Sequence, residues 1–219
     1  MKKYLKIATP AKLQADVAKK WPTVELTPEV SGAKLAALVI EAGDLKQRAI
    51  AELICQRSGL KIPLIEVTAE NIDADMKRVL ESATAYEKEN VPAFLLDLIN
   101  FADEKAVSFT TPGHHNGNFY TRHPAGEVFK NFFGDNFLYA DVSDTIPELG
   151  DTLTHGGTPL TAEKQAAKAF NADKVYFCTN GTTSSNTICA TAALTEGDLV
   201  LFDRNNHKSL YNSALVMTG

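Results

Sequence analysis

The sequence predicts an α/β protein: a small doubly wound domain, then the start of a second, larger α/β domain. Three observations carry this expectation. Short apolar runs alternate with helix-period segments in the first hundred residues, a loop-rich stretch begins near residue 108, and a helix–strand–helix–strand alternation resumes after residue 160. Of the 219 residues 44% are hydrophobic and 22% charged, the balance of an ordinary globular chain able to bury a core.

In chain order, "YLKIAT" (4–9) and "KLAALVIEA" (34–42) read as strands, with "TVELT" (23–27) a weaker third. "LKQRAIAELICQRSG" sets Leu45, Ile50, Leu53 and Ile54 at a helical period and ends on Gly59, a residue suited to close a helix. "KIPLIEVTA" (61–69) reads as a buried strand. From Asn71 to Lys105 the pattern is helical, acidic at its start as the helix dipole favours, and divided by Pro92. Residues 108–137 are dense in Gly, Pro, His, Asn and aromatics, a composition expected of ordered loops around a site.

Beyond them, "TAEKQAAKAFNA" (161–172) reads as a helix, "KVYFCT" (174–179) as a strand and "TSSNTICATAALTEG" (183–197) as a helix closed by Gly197. "DLVLFD" (198–203) reads as another strand, and "HKSLYNSALVMTG" opens a further helix. The expected division is residues 1–107, the small domain with its connecting helices, and residues 108–219, the larger domain. Two strands are few for a doubly wound sheet, so the second domain is expected to be incomplete in this chain.

Formal net charge is −5 and no basic patch stands out, which argues against a nucleic-acid partner. No apolar run is long enough to span a bilayer, and the start lacks the core of a secretion signal, so no membrane partner and a cytoplasmic location are expected. Cys55, Cys178 and Cys189 fit no paired or metal-binding spacing and are expected to be buried small hydrophobes.

The stretch "CTNGTTSSN" (178–186) ends a predicted strand and opens a predicted helix. Gly181 frees the backbone at such a turn, and the first N–H groups of a helix lack intrahelical partners. An anion there gains hydrogen bonds and the helix dipole, with Thr182, Thr183 and Ser184 adding hydroxyl donors. The lysine of a Walker motif is missing, so a monophosphate on a small cofactor fits better than a nucleoside triphosphate. A capped helix without a ligand explains the same residues equally well.

His207, in "FDRNNHKS" (202–209), follows the next predicted strand and is expected beside that turn, where an imidazole can stack on a flat ring or exchange protons. In "TPGHHNG" (111–117), His114 and His115 are adjacent and lack partners at ligand spacing, so the loop reads as polar rather than as a metal centre. His155, in "DTLTHGG", has a similar loop setting.

"TPGHHNG", "HPAGEVFKNFFG", "GDTLTHGG", "AFNADKVYFCTNGTTSSN" and "LVLFDRNNHKS", in this order, strongly resemble the bacterial inducible ornithine, lysine and arginine decarboxylases, fold-type I enzymes dependent on pyridoxal 5′-phosphate (PLP). The resemblance covers residues 108–219, and the first hundred residues are similar in layout to the family's flavodoxin-like wing domain. It implies that Gly181, Thr182, Thr183 and Ser184 form the turn that holds the PLP phosphate, and that His207 stacks on the pyridine ring as the catalytic imidazole. It also implies a homo-oligomer, a basic amino acid as substrate and a diamine or agmatine as product.

"DLVLFDRNNHKS" leans toward ornithine, while "TIPELGDTL" is similar to the lysine and arginine members. Lys208 is not expected to be the Schiff-base lysine, which the family carries in a Ser-x-His-Lys context on a later segment, as it does the aspartate that pairs with the ring nitrogen. Neither motif occurs in these residues, so the chain by itself is expected to be inactive. Two other readings compete. One is a receiver domain in the first hundred residues, where Asp44 follows a strand but no acidic pair follows the first. The other is a non-catalytic oligomerisation module.

Overall fold

The computed structural model describes residues 3–68, 71–144 and 146–218. The chain forms two compact units, Met1–Gln165 and Ala166–Gly219.

In the first unit, strands β1 (Lys6–Thr9), β2 (Thr23–Glu25), β3 (Leu35–Glu41) and β4 (Leu64–Val67) form one all-parallel sheet in the order β2-β1-β3-β4. That is the strand order of the flavodoxin-like doubly wound fold, short of its fifth strand. Parallel strands covered on both faces read as unbroken apolar runs, and β3 does so, with Leu35 through Ile40 all buried. Successive side chains leave the sheet on opposite faces. Ile7, Ala37 and Val39 meet Val17 of helix α1 (Ala11–Ala18) and Met76, Val79 and Ala83 of helix α3 (Ile72–Asn90). Ala8, Leu38 and Ile40 meet Ala51 and Ile54 of helix α2 (Leu45–Ser58).

The strand and helix expectations of this half hold, with the strand at 61–69 shortened to Leu64–Val67. Its predicted last residue, Ala69, lies outside the described residues. Helix α2 closes on Gly59 in the left-handed region, φ 67°, as its sequence suggests. Helix α1 escaped the sequence reading: it is only eight residues long and buries a single side chain, Val17, so its apolar stripe is faint.

Thr9, at the carboxyl end of β1, is fully buried, and its hydroxyl finds no partner among the described residues. An unsatisfied buried hydroxyl is a liability that an isosteric apolar group removes. Thr9→Val is therefore expected to leave stability unchanged or raise it by up to about 1 kcal/mol in urea unfolding. A loss of that size instead would mean the hydroxyl is bonded.

Pro92 separates α3 from α4 (Ala93–Glu104), as predicted. The stretch expected to be loops is partly helical: α5 (Pro124–Phe133) and α6 (Asp135–Ala140) lie within it. Their cause is local. Pro124 occupies the first helical position, where its missing N–H is harmless, and His123 caps the helix, Nδ1 accepting from the Ala125 N–H at 3.2 Å. Gly126 lies so close under the Tyr120 carbonyl that a Cβ would stand 2.1 Å from its oxygen. This lets Tyr120 stack on Phe129, ring centres 5.0 Å apart.

Helix α7 comprises Thr158–Phe170. The second unit then pairs α8 (Thr182–Ala193) with α9 (Lys208–Thr218). Here two expectations fail. Neither 174–179 nor 198–203 is a strand, and neither forms a ladder among the described residues. A strand exists only through a hydrogen-bonded neighbour, and these two segments find none among the described residues. Leu199 and Leu201 are 99% and 98% exposed in consequence. Helix α8 also stops at Ala193, four residues before Gly197, because a turn intervenes. There the Asp198 carboxylate accepts from the Thr195 N–H and hydroxyl, bonds that hold its pKa below the ordinary value.

The cysteines depart from expectation for the same reason. Cys55 is half-buried, but Cys178 and Cys189 are exposed, one on a segment that forms no ladder and one on a side of α8 that stays uncovered among the described residues.

Candidate functional site

Gly181 has φ 85° and ψ 168°, a region of backbone space open essentially to glycine alone. It thereby turns the chain into α8 with open space where a side chain would be. No side chain caps the helix. Ser184 N–H returns to the Gly181 carbonyl at 3.0 Å, and the Ser184 hydroxyl reaches back to the Asn180 carbonyl at 3.5 Å. The N–H groups of Thr182 and Thr183, and their exposed hydroxyls, take no partner among the described residues. The small polar residues of this turn are thus not used as caps. Four donors of two neighbouring residues stand open at the positive end of a helix, a set whose chemistry suits a phosphate.

His207 precedes α9. Its Nδ1 accepts from the Ser209 N–H at 3.3 Å and lies 2.9 Å from the Ser209 hydroxyl. The amide N–H can only donate, so Nδ1 carries the lone pair, and in the neutral ring the proton sits on Nε2. Asn186 Nδ2 donates to the same Ser209 hydroxyl at 2.7 Å. Asn186 stands four residues, about 6 Å of helix rise, beyond Thr182. One buried serine, 3% exposed, thus links the imidazole to the first turns of the helix that carries the open donors. Thr187 and Ser213 make a second link, hydroxyl to hydroxyl at 3.0 Å.

The loop before His207 is fixed as well. The Tyr211 hydroxyl sits 2.7 Å and 3.0 Å from the Asp203 and Arg204 carbonyls, and Asn206 Nδ2 donates to the Asp203 carbonyl at 2.8 Å.

Sequence reasoning reached Gly181, Thr182, Thr183, Ser184 and His207 but assigned nothing to Asn186 or Ser209. A usable signal was present: a serine two residues after a histidine, at a helix start, is placed to share its cap.

The remaining histidines lie in the first unit and diverge. His114 faces Asp141 through Nε2 at 3.1 Å, while its Nδ1 accepts from the Gly117 N–H at 3.0 Å. His115 turns its Nδ1 to the Ser108 carbonyl, 2.8 Å away. Adjacent in sequence, the two rings serve different anchors of one loop. His155 pairs with the buried Glu163 at 2.7 Å. Nearby, the Leu153 N–H, and then the Thr154 hydroxyl, hold the Asp151 carboxyl below its ordinary pKa. Asp44, the acidic residue a receiver reading leaned on, caps α2 by accepting from the Lys46 and Gln47 N–H groups, each at 3.0 Å. No described helix is long and apolar enough to cross a membrane.

Comparison with known proteins bears on the whole arrangement. The family described as "Orn/Lys/Arg decarboxylase, major domain" matches residues 92–219. The chain is 44% identical over 162 residues to the inducible ornithine decarboxylase of Escherichia coli K12, covering 72% of this chain and 22% of that protein. To the constitutive ornithine decarboxylase of the same organism it is 41% identical over 198 residues, covering 84% and 28%. Among solved structures, the E. coli constitutive lysine decarboxylase superposes with a TM-score of 0.70 at 25% identity, over 97% of this chain and 36% of that one. The chain spans between about a fifth and two fifths of the length of the proteins it matches.

Proposed function

The chain belongs to the Orn/Lys/Arg decarboxylase family, and from that premise we propose that it is the N-terminal portion of a cytoplasmic, homo-oligomeric PLP enzyme that removes the α-carboxylate of a basic amino acid. Ornithine is the first candidate, supported by the two ornithine decarboxylase matches. Lysine is the second, supported by the likeness to a lysine decarboxylase structure. In this reading residues 1–107 are the wing and residues 108–219 the front of the cofactor-binding domain.

The observation that carries the reading is the open donor set at the start of α8. Thr182 and Thr183 hold the phosphate through N–H and hydroxyl groups, with Gly181 supplying the turn and Ser184 closing it. His207 offers its ring face to the flat heterocycle. When bound, PLP supplies a protonated pyridine ring as electron sink for the carbanion left by departing CO₂. The residues here bind and orient it. The anchoring lysine and the ring-nitrogen aspartate are expected elsewhere in the enzyme.

Two measurements test this. A polypeptide of these 219 residues is expected to bind PLP and to bind pyridoxal, which lacks the phosphate, at least tenfold more weakly, by fluorescence titration. Equal affinity for the two would remove the phosphate role. The same polypeptide is expected to release no CO₂ from ornithine or lysine. Borohydride reduction that labels one specific lysine of it, Lys208 included, would show the anchor to be here after all.

A further inference from the structure

We propose that Ser209, steadied by Asn186, is a positioning residue that locks the imidazole of His207 in one orientation and one tautomer, with Nδ1 internally satisfied and Nε2–H as the ring's sole remaining donor. The tautomer part stands on the geometry alone; its use, presenting a fixed ring to the cofactor, rests on the function proposed above.

The argument starts from donors and acceptors. Ser209 sits at the first turn of α9, where N–H groups have no helical partner. Its N–H goes to His207 Nδ1. Its hydroxyl has one hydrogen to give and lone pairs to receive. Asn186 Nδ2 occupies one lone pair at 2.7 Å, and because the Ser209 N–H already makes Nδ1 an acceptor, the hydroxyl hydrogen is the one that points at Nδ1, 2.9 Å away. Nδ1 therefore faces two donors, and a proton there would meet both head-on.

An imidazole attached by two rotatable bonds has two ring orientations of similar energy. Flipping this ring would take Nδ1 away from both Ser209 donors and leave buried polar groups unpaired. Ser209 is 3% exposed, so water does not readily replace the lost partner. The serine thus acts as a latch between α8, whose start carries the open anion donors, and the ring that follows from the next segment. A stacking group gains most when its orientation is set before the ligand arrives.

The test uses the 219-residue protein labelled with ¹⁵N-histidine and long-range ¹H–¹⁵N correlation. The His207 signals are assigned by their loss in His207→Gln. In the unsubstituted protein, Nδ1 is expected in the unprotonated range and Nε2 in the protonated range. In Ser209→Ala, which removes the hydroxyl donor and keeps the backbone N–H of residue 209, both nitrogens are expected to move part of the way toward intermediate shifts, since one of the two donors on Nδ1 is lost. Asn186→Ala, which leaves the serine in place, is expected to give a smaller shift the same way, and Ser209→Thr to restore the original pattern. PLP affinity is expected to fall about fivefold in Ser209→Ala and to recover in Ser209→Thr.

A His207 carrying its proton on Nδ1 in the unsubstituted protein overturns the proposal, whether or not the variants fold. So does a Ser209→Ala protein with an unchanged His207 pattern. Failure of the unsubstituted protein to bind PLP overturns the function proposed above instead, and the tautomer pattern still decides this one.

Discussion

Alanine at both Thr182 and Thr183 is expected to weaken PLP binding by about a hundredfold while leaving stability level or slightly higher. Each hydroxyl bonded to a charged group contributes about 1.5–3 kcal/mol, reduced here because both side chains are exposed and water can stand in. Two such losses come to about 2.7 kcal/mol, two decades in affinity. On the stability side neither hydroxyl bonds to anything among the described residues, and alanine is the better helix former by a few tenths of a kcal/mol per site. If the threonines were instead capping α8, the double variant would lose about 1 kcal/mol per cap and PLP would be indifferent. Titration and thermal melting of one variant therefore separate a phosphate cradle from a capped helix.

Leu38→Ala is expected to lower the stability of the first unit by about 2–5 kcal/mol. Leu38 is 0% exposed in the middle of β3, beside Ala8 of β1 and Leu64 of β4, and packs in the cluster with Ile40, Ala51 and Ile54. Truncation removes the transfer free energy of the side chain and leaves a void that a parallel sheet flanked on both sides cannot close. Against a total of about 5–15 kcal/mol for a domain, that is a large fraction. Urea unfolding is expected to show a lower midpoint with an unchanged slope. A change under about 1 kcal/mol would mean the sheet is looser than its burial implies.

These two expectations mark where sequence was informative. The sheet was legible because "KLAALVIEA" and "LKQRAIAELICQRSG" carry strong periods and a glycine stop, and each satisfies its own backbone hydrogen bonding or finds partners within the first seventy residues. The turn at Gly181 was legible too, since a glycine followed by small hydroxyl residues at a helix start has few physical uses. Its actual disposition was not. A cap and an anion site share one composition, and the structure adds that the hydroxyls of Thr182 and Thr183 take no partner among the described residues.

Local chemistry along the chain was thus enough for the parallel sheet and for helices α2, α3 and α4, and it put forward Gly181 to Ser184 and His207 as candidates. Three things only the tertiary structure decided: that "KVYFCT" and "DLVLFD" form no strand ladder among the described residues, that α5 and α6 form within a loop-like composition, and that Ser209 ties Asn186 to His207. The reason is common to all three. Strand pairing, the close approach at Gly126 and a buried hydroxyl bridge are each set by what stands opposite in space, and a linear pattern records only what a residue can do, not what it meets.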